Sequence, residues 1–349
     1  MINILITDDS DVVAMLLQKM IESQPDMKVI GRARNGHEAV RLTHELKPDM
    51  ITMDIRMPVM DGFDATRMIM STVPTPIVVI SAGIDDEELR TTFRAIDEGA
   101  LAVIEKPAGI PNSPEFNRTC RNLVDTLRAM AEVKLIRRRP QKETPNPKIL
   151  ETKIERKIAT YDVVGIVCST GGPTVLSTIL STLPLNYPLP LLVVQHISPG
   201  FSHGLADWLR GHTLLGVELA HQGGRLSPGT VYIAPEGRHM GVERREGALF
   251  ALLRDAPPIE QFRPSGTYLL NSLADCCGPS AIGAVLTGMG RDGADGLARL
   301  GERGGHIFVQ DEESSTIFGM PSAAISASGT KEIIPLSKIS SHLIKLARC

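Results

Sequence analysis

Three acidic side chains follow short apolar runs in the first part of the chain. Asp8 and Asp9 come directly after "INILIT", and Asp54 comes directly after "ITM". Because the carboxyl ends of parallel strands meet at one edge of a sheet, we expect the three carboxylates to lie together. Clustered carboxylates repel one another unless a cation joins them, and Mg²⁺ prefers oxygen ligands. The three residues therefore predict an Mg²⁺ site.

A hydroxyl and an ammonium group mark the ends of the next two apolar runs. Ser81 ends "IVVIS", and Lys106 follows "AVIE". Taken singly, Asp8 and Asp9 are also typical of turns or helix N-caps, and Lys106 of a surface charge before a proline. Together with Ser81 and Asp54 they indicate a pocket that neutralises and hydrogen-bonds a phosphoryl group.

A strand pattern runs into paired glycines and a proline at residues 163–173, "VVGIVCSTGGP". Glycine permits the close approaches of a strand-to-helix turn, and proline suits the first turn of a helix. Such a turn can cradle a phosphate at the helix N-terminus, or it can present Ser169 as a nucleophile. The stretch by itself leaves both functions open.

His196 and Asp292 follow two further apolar strands, in "LLVVQHISPGF" and "AVLTGMGRDGADGL". A serine nucleophile needs a base, and the base needs an orienting carboxylate, so Ser169, His196 and Asp292 would form a triad if they converge. Taken singly, they are more often a helix cap, a structural histidine and a second cap. The chain order differs from that of α/β hydrolases and no G-x-S-x-G elbow is present, but triads are defined by geometry.

A competing pattern overlaps Asp292. The segment Gly288–Gly293 matches G-x-G-x-x-G between a strand and a helix, and Asp311 lies about twenty residues further on, which is typical of dinucleotide binding. However, Asp292 would place a carboxylate inside a loop that must receive a pyrophosphate. A dinucleotide-binding output domain is therefore the weaker alternative.

The apolar pattern divides the chain into two α/β domains. Residues 1–127 alternate five strands with five helices, which predicts a doubly wound parallel sheet. Residues 128–160 are rich in Lys, Arg and Pro and predict a linker that begins as an extension of the preceding helix. Residues 161–349 predict a second doubly wound, mostly parallel sheet, with hairpins in the Pro- and Gly-rich segment 221–240.

The composition limits the partners and the compartment. The 349 residues carry a net charge of −3, which gives no overall attraction to nucleic acid or to an anionic membrane. No apolar run approaches the roughly 18 residues of a membrane span. The five cysteines show no C-x-x-C spacing, which predicts reduced thiols, a cytoplasmic location and no zinc site.

The first domain resembles the receiver domain of bacterial two-component response regulators. The resemblance implies a flavodoxin-like (βα)₅ fold, Mg²⁺ in the pocket and a histidine kinase as phosphodonor. It assigns Asp54 as the phospho-accepting residue, and Asp8 and Asp9 together with Asp54 as the Mg²⁺ ligands. It assigns Ser81 as the switch hydroxyl and Lys106 as the lysine that senses the phosphate.

Two details of the first domain bear on this resemblance. The pair Lys106-Pro107 suits the cis peptide bond of the receiver family. Val103 stands where many receivers carry a Tyr or Phe whose rotation reports phosphorylation. We therefore do not expect an aromatic rotation to operate the switch in this chain.

The second domain resembles the catalytic domain of the chemotaxis protein-glutamate methylesterase (CheB) family. The stretches that carry the resemblance are "CSTGGP", "VVQHISPGF", "YIAPEGRHM", "RPSGTYLLNSLA", "LTGMGRDGADGL" and "QDEESSTIFGMPSAA". The resemblance implies Ser169 as nucleophile, His196 as general base and acid, and Asp292 as the orienting carboxylate. It also implies the Met289 N–H as an oxyanion donor and Thr170 as a residue that shapes the site.

The resemblance implies a function as well. It implies hydrolysis of glutamate methyl esters, and deamidation of glutamines, on the cytoplasmic helices of methyl-accepting chemotaxis receptors. It implies no cofactor in the catalytic domain. Cys168 is a rival nucleophile by residue type, but in an extended strand end it points away from Ser169, so we expect it in the core. The alternative is a response regulator with a non-catalytic or dinucleotide-binding output domain.

Overall fold

The architecture is that of a computed structural model, in which the chain divides into two compact units between Thr144 and Pro145. Each unit is described by itself. No described helix is long and apolar enough to cross a lipid bilayer. The structure describes residues 1–81, 92–107, 113–131, 133 and 161–347.

A five-stranded parallel sheet forms the centre of the first unit. Its strands are β1 (Ile2–Thr7), β2 (Met27–Ala33), β3 (Met50–Met53), β4 (Ile77–Ser81) and β5 (Ala102–Glu105). Its described helices are α1 (Asp11–Glu22), α2 (Gly36–Leu46), α3 (Gly62–Thr72), α4 (Arg94–Asp97) and α5 (Pro114–Ala131). The strand order is β2-β1-β3-β4-β5. Leu5, Ile51 and Val79 are fully buried, as expected for a parallel sheet covered on both faces.

Local interactions fix where the helices of this unit begin. The side chains of Ser10, Asn35 and Asp61 each accept a hydrogen bond from a backbone N–H of the helix that follows, which stabilises a helix start by about 1 kcal/mol. Gly62 begins α3 so close to the end of β3 that a Cβ would lie 2.2 Å from the Asp54 carbonyl oxygen. Glycine at this position therefore lets α3 start directly beside the strand end that carries Asp54.

A seven-stranded parallel sheet forms the centre of the second unit, in the order β14-β13-β12-β6-β7-β9-β8. Its strands are β6 (Val163–Cys168), β7 (Leu191–Gln195), β8 (Gly216–Leu219), β9 (Thr230–Ile233), β12 (Ala281–Val285), β13 (His306–Gln310) and β14 (Ile333–Ile334). A separate antiparallel hairpin consists of β10 (His239–Arg245) and β11 (Ala248–Arg254). The helices are α6 (Gly172–Leu180), α7 (Phe201–Arg210), α8 (Gly266–Cys276), α9 (Ala294–Glu302), α10 (Gly319–Ser328) and α11 (Leu336–Leu346).

The order of the central strands decides which loops meet. Strand β6 lies between β12 and β7, although β12 follows β7 by a long stretch of chain. The chain therefore runs from β6 to β7 and from β12 to β13 in opposite directions across the sheet. This leaves a crevice between the carboxyl ends of β6 and β12. Strands β6, β7 and β12 are buried throughout, so the loops beyond them stand on a rigid base.

The sequence predicted the fold class of both units correctly, and three details need comment. The hairpins expected in 221–240 are wrong for most of that segment, because β9 joins the main sheet in parallel and the hairpin begins only at His239. Helix α5 continues to Ala131, but most of the linker predicted at 128–160 lies outside the described residues. Among the described residues the cis peptide bond precedes Pro264, so the cis bond expected before Pro107 is not found.

Candidate active site

The three residues predicted as a triad lie at the ends of three neighbouring strands. Ser169 directly follows β6, His196 directly follows β7, and Asp292 lies between β12 and α9. The Nε2 atom of His196 is 2.7 Å from Oδ2 of Asp292. The His196 backbone N–H donates a hydrogen bond to the carbonyl of Cys168 at 3.0 Å. His196 and Ser169 therefore follow two strand ends that are adjacent and hydrogen-bonded to each other.

The start of α8 holds the Asp292 carboxylate in place. Oδ1 accepts hydrogen bonds from the Ser265 hydroxyl at 2.7 Å and the Thr267 N–H at 3.0 Å, and Oδ2 accepts one from the Gly266 N–H at 2.6 Å. Burial by itself raises the pKa of Asp292, but the hydrogen bond and charge of His196, followed by the hydrogen bonds of Ser265 and Thr267, hold it well below its ordinary value. Asp292 is therefore an ionised, fixed acceptor for the imidazole.

The imidazole of His196 has a fixed plane and one unused nitrogen. The ring stacks on Phe262, with centroids 3.9 Å apart and planes within 3°. Because Nε2 faces a carboxylate, it carries the ring proton, and Nδ1 is left with its lone pair. Nδ1 is buried and hydrogen-bonded to no described residue, so the Ser169 hydroxyl is not bonded to it here. Catalytic hydrogen bonds of this kind often close only when substrate binds.

The loop after β12 lies directly against the serine. A Cβ at Gly288 would be 2.8 Å from Cβ of Ser169, closer than two such atoms can stand. Met289, the next residue, is 37% exposed, and within the described ranges no group accepts a hydrogen bond from its N–H. The Thr287 hydroxyl donates to the carbonyl of Thr170 at 3.0 Å. The strand end with Ser169 and the loop with Met289 are therefore held together.

The Gln195 side chain links the residues that follow β6 and β7. Its amide nitrogen donates to the carbonyls of Ser169 and His196, both at 2.8 Å. Its amide oxygen lies 3.1 Å from Sγ of Cys168, and a Cβ at Gly172 would lie only 1.9 Å from the same oxygen. Cys168 is fully buried, and burial raises the pKa of its thiol. A thiolate nucleophile is therefore disfavoured at Cys168, as expected for a core residue.

The acidic residues of the first unit also come together. Carboxylate oxygens of Asp8, Asp9 and Asp54 lie within 4.8 Å of one another. Lys106 Nζ is 3.0 Å from Asp8 and 2.8 Å from Asp54. Burial raises the pKa of Asp54, against the lowering effect of Lys106. Three carboxylates and one lysine give the pocket an excess of negative charge and several oxygen ligands, which fits Mg²⁺.

The other two receiver residues flank this pocket at the strand ends. Ser81 is buried, its hydroxyl accepts a hydrogen bond from Thr92 at 3.3 Å, and its carbonyl accepts the Lys106 N–H at 2.7 Å. Val103 lies in β5 beside Val79 of β4. Ser81, at the end of β4, and Lys106, just after β5, are thus close neighbours. The consequence of Val103 for the switch stays a prediction.

The chain matches two family models. The model described as CheB methylesterase matches residues 164–343, and that of the response regulator receiver domain matches residues 4–113. A protein of Myxococcus xanthus named protein-glutamate methylesterase/protein-glutamine glutaminase 4 is 45% identical over 348 residues, which cover 99% of this chain and 97% of that protein. The chain belongs to the CheB family.

Further similarities agree with membership of the CheB family. A protein of Methanospirillum hungatei named protein-glutamate methylesterase/protein-glutamine glutaminase 2 is 45% identical, covering 93% of this chain and 92% of its own length. The crystal structure of the Thermotoga maritima CheB methylesterase catalytic domain is 37% identical, with a TM-score of 0.52. It covers 53% of this chain and 98% of that domain. The similarity therefore extends to the fold of the second unit.

The dinucleotide alternative for Gly288–Gly293 finds no support. The CheB methylesterase match includes this segment. Asp292 is completely buried and bonded to His196 and to the start of α8, so its carboxylate is fixed within the loop, where it would oppose a pyrophosphate. Gly288 serves a close approach to Ser169 instead.

Several residues of the site were not predicted from the sequence. Ser265 and Thr267 hold Asp292, Phe262 stacks on His196, and Gln195 connects the two strand ends. Ser265 does carry a signal, because a serine before an apolar helical stretch is a typical N-cap. Phe262 carries none, because it lies in an irregular segment between β11 and α8 where no periodicity assigns a contact.

Proposed function

We propose that the protein hydrolyses glutamate methyl esters on the cytoplasmic helices of methyl-accepting chemotaxis receptors, and that it deamidates receptor glutamines to glutamate by the same route. The observation that carries this proposal is the 2.7 Å hydrogen bond between His196 and Asp292. These two residues follow β7 and β12, the strands on either side of β6, and Ser169 follows β6. We place the reaction in the cytoplasm, where the substrate helices lie.

The first half of the reaction forms an acyl-enzyme. Nδ1 of His196 takes the proton of the Ser169 hydroxyl while Oγ attacks the ester carbonyl carbon. The Met289 N–H donates a hydrogen bond to the oxyanion, and Asp292 stabilises the imidazolium through Nε2. When the carbonyl re-forms, methoxide leaves and takes the proton from Nδ1 as methanol. A glutamine substrate releases ammonia at this step.

The second half releases the product. A water molecule gives a proton to Nδ1 of His196 and attacks the acyl carbon. Collapse of the second oxyanion returns that proton to Ser169 and leaves a carboxylic acid, which loses its remaining proton to solvent to give glutamate. Two features of this site assist both steps: the imidazole plane is fixed by Phe262, and the Asp292 carboxylate needs no reorganisation because four donors already hold it.

The receiver pocket provides the regulation. A histidine kinase would supply the phosphoryl group to Asp54, and Mg²⁺, held by Asp8, Asp9 and Asp54, would neutralise the charge of that group. Lys106 now bridges Asp8 and Asp54, so a phosphoryl group on Asp54 would draw its ammonium group away from Asp8. Ser81, at the end of the neighbouring strand, would donate its hydroxyl to the same group.

A release assay tests the proposed activity. We expect the full chain to release methanol from receptor fragments that carry glutamate methyl esters, and ammonia from fragments that carry glutamine at those sites. Fragments that already carry glutamate serve as the control and should release neither. Absence of methanol release, with a phosphodonor and Mg²⁺ present, would exclude the esterase.

Phosphorylation should increase the rate of methanol release. We expect a phosphodonor with Mg²⁺ to accelerate the full chain about 5- to 150-fold, the range of typical coupling free energies between sites. Asp54→Asn should stay at the basal rate, because the amide cannot accept the phosphoryl group. Asp64→Asn, which alters an exposed carboxylate on α3, is the matched control and should respond like the wild type. An equal response of Asp54→Asn would overturn the assignment of Asp54.

A further inference from the structure

Three metal-ligating side chains from three separate elements meet at the edge of the second unit. His306 begins β13, Glu332 directly precedes β14, and His342 lies in α11. The two imidazole Nε2 atoms are 3.2 Å apart, and Oε2 of Glu332 is 2.9 Å from His306 Nε2 and 3.3 Å from His342 Nε2. The catalytic mechanism uses none of these three residues.

The three separations match the edges of a coordination tetrahedron. Zinc binds imidazole nitrogen and carboxylate oxygen at about 2.0–2.2 Å. Tetrahedral angles at that bond length place the ligand atoms roughly 3.3 Å apart. The observed separations of 2.9, 3.2 and 3.3 Å therefore leave a point within bonding distance of all three atoms.

Hydrogen bonds alone do not account for the triangle. A ring nitrogen has one direction of interaction in the imidazole plane, either a proton or a lone pair. Each Nε2 atom can therefore satisfy one neighbour, whereas each has two at contact distance. Two protonated rings would also place like charges 3.2 Å apart. A single cation at the centre satisfies all three groups at once.

Packing fixes the ligands in this arrangement. The His306 and His342 side chains are each 19% exposed, and Glu332 is 47% exposed. Phe308 packs edge-on against the His342 ring. The Glu332 carbonyl accepts the Val309 N–H at 3.0 Å, so the backbone holds the carboxylate beside β13. The two imidazoles therefore need little ordering when an ion binds.

We propose that His306, Glu332 and His342 bind one Zn²⁺ ion, with water as the fourth ligand. Two imidazoles and one carboxylate suit zinc better than Mg²⁺ or Ca²⁺. The site joins β13, the chain before β14 and α11, so its effect is on stability. This departs from two expectations: the cysteine spacing predicted no zinc site, and the resemblance implied no cofactor in this domain.

One neighbour weakens the affinity without blocking the site. Lys345, one turn further along α11, acts electrostatically on His342, and a cation nearby opposes the binding of another. A surface depression lined in part by Ile334, Lys338 and Lys345 opens beside His342. His342 therefore borders solvent-accessible space from which an ion and its water ligand can enter.

Titration of the full chain with Zn²⁺ tests the proposal. After treatment with a chelator, and with saturating Mg²⁺ present for the receiver pocket, the wild type should bind one equivalent of Zn²⁺ that His306→Gln and His342→Gln do not bind. We expect the dissociation constant of that equivalent to rise at least about tenfold in each variant, since changes even to the outer shell of metal sites have effects of that size. Co²⁺ should give the visible absorption of a tetrahedral complex in the wild type and not in His306→Gln or His342→Gln.

His212→Gln is the matched control, because it removes a half-buried imidazole outside the cluster. It should bind Zn²⁺ and Co²⁺ like the wild type. Glu332→Gln, at a half-exposed position, provides a third ligand variant if a histidine variant fails to fold, and it should show the same loss. Equal Zn²⁺ binding by the wild type and the ligand variants, or a wild type without the tetrahedral Co²⁺ absorption, would overturn the site.

Discussion

Ser169→Ala should lower kcat for methanol release by about 10⁴-fold or more, because removing one member of a triad costs nearly as much as removing all of them. The proposed acyl-enzyme cannot form without the hydroxyl. The structure gives no reason for unfolding, since alanine fits wherever serine does and the backbone bonds of Ser169 to Gln195 and Thr287 involve no Oγ. We would measure methanol release by the phosphodonor-activated full chain from a methylated receptor fragment.

Cys168→Ala is the matched control for that experiment. It removes the neighbouring nucleophilic side chain, but this side chain is completely buried beside Gln195. We expect most of the turnover to remain and the folded state to lose some stability from the small cavity. If Cys168→Ala were the inactive variant and Ser169→Ala the active one, the thiol would be the nucleophile and the proposed chemistry would be wrong.

The fold and the strand-end residues could be predicted because both follow from simple periodicity. Buried parallel strands are continuous apolar runs, and polar residues at their ends, such as Asp54 and Ser169, stand out against them. The rule that parallel strands end at one edge then places these residues together without knowledge of any distance. His196 and Asp292 flank the serine because the strand order is β12-β6-β7. No local signal in the sequence predicts that order.

The orientation of the catalytic groups could not be predicted in the same way. Which imidazole nitrogen faces Asp292 depends on side-chain torsions and on the stacking of Phe262 against His196. The three hydrogen bonds from the start of α8 to Asp292 join positions about 25 residues apart, and nothing in either stretch identifies the other. The same holds for His306 and His342, which look like isolated histidines until β13 and α11 pack together.

Asp292→Asn should lower kcat by about 10⁴-fold while preserving the fold, because it places His196 in the wrong tautomer. Both Asp292 oxygens accept two hydrogen bonds each, from Ser265 and Thr267 on one side and from Gly266 and His196 on the other. An amide has one acceptor oxygen. If its NH₂ group faces His196, Nε2 must accept, the ring proton moves to Nδ1, and the base nitrogen is lost.

Either orientation of the amide also costs stability. Its NH₂ group faces the Gly266 N–H in the first case and the Thr267 N–H in the second, and two buried donors without an acceptor cost about 1–3 kcal/mol. Asp295→Asn is the matched control, because Asp295 is an exposed carboxylate near the start of α9, bonded to Arg291. It should leave both kcat and the unfolding midpoint close to wild type. Full activity of Asp292→Asn would show that the carboxylate does not orient His196.

The pH dependence of stability provides an independent readout for Asp292. Its pKa is lower in the folded protein than its ordinary value of 3.8, so the unfolded chain binds the proton more readily. The stability contributed by the ionised carboxylate is therefore fully present above pH 3.8 and is lost as the pH falls through the folded pKa. The single tryptophan, Trp208, lies in α7, so its fluorescence reports unfolding of the second unit. The difference in unfolding midpoint between wild type and Asp292→Asn should narrow as the pH falls below about pH 4. A difference that does not change between about pH 4 and pH 3 would mean that the carboxylate is not held by the donors that surround it.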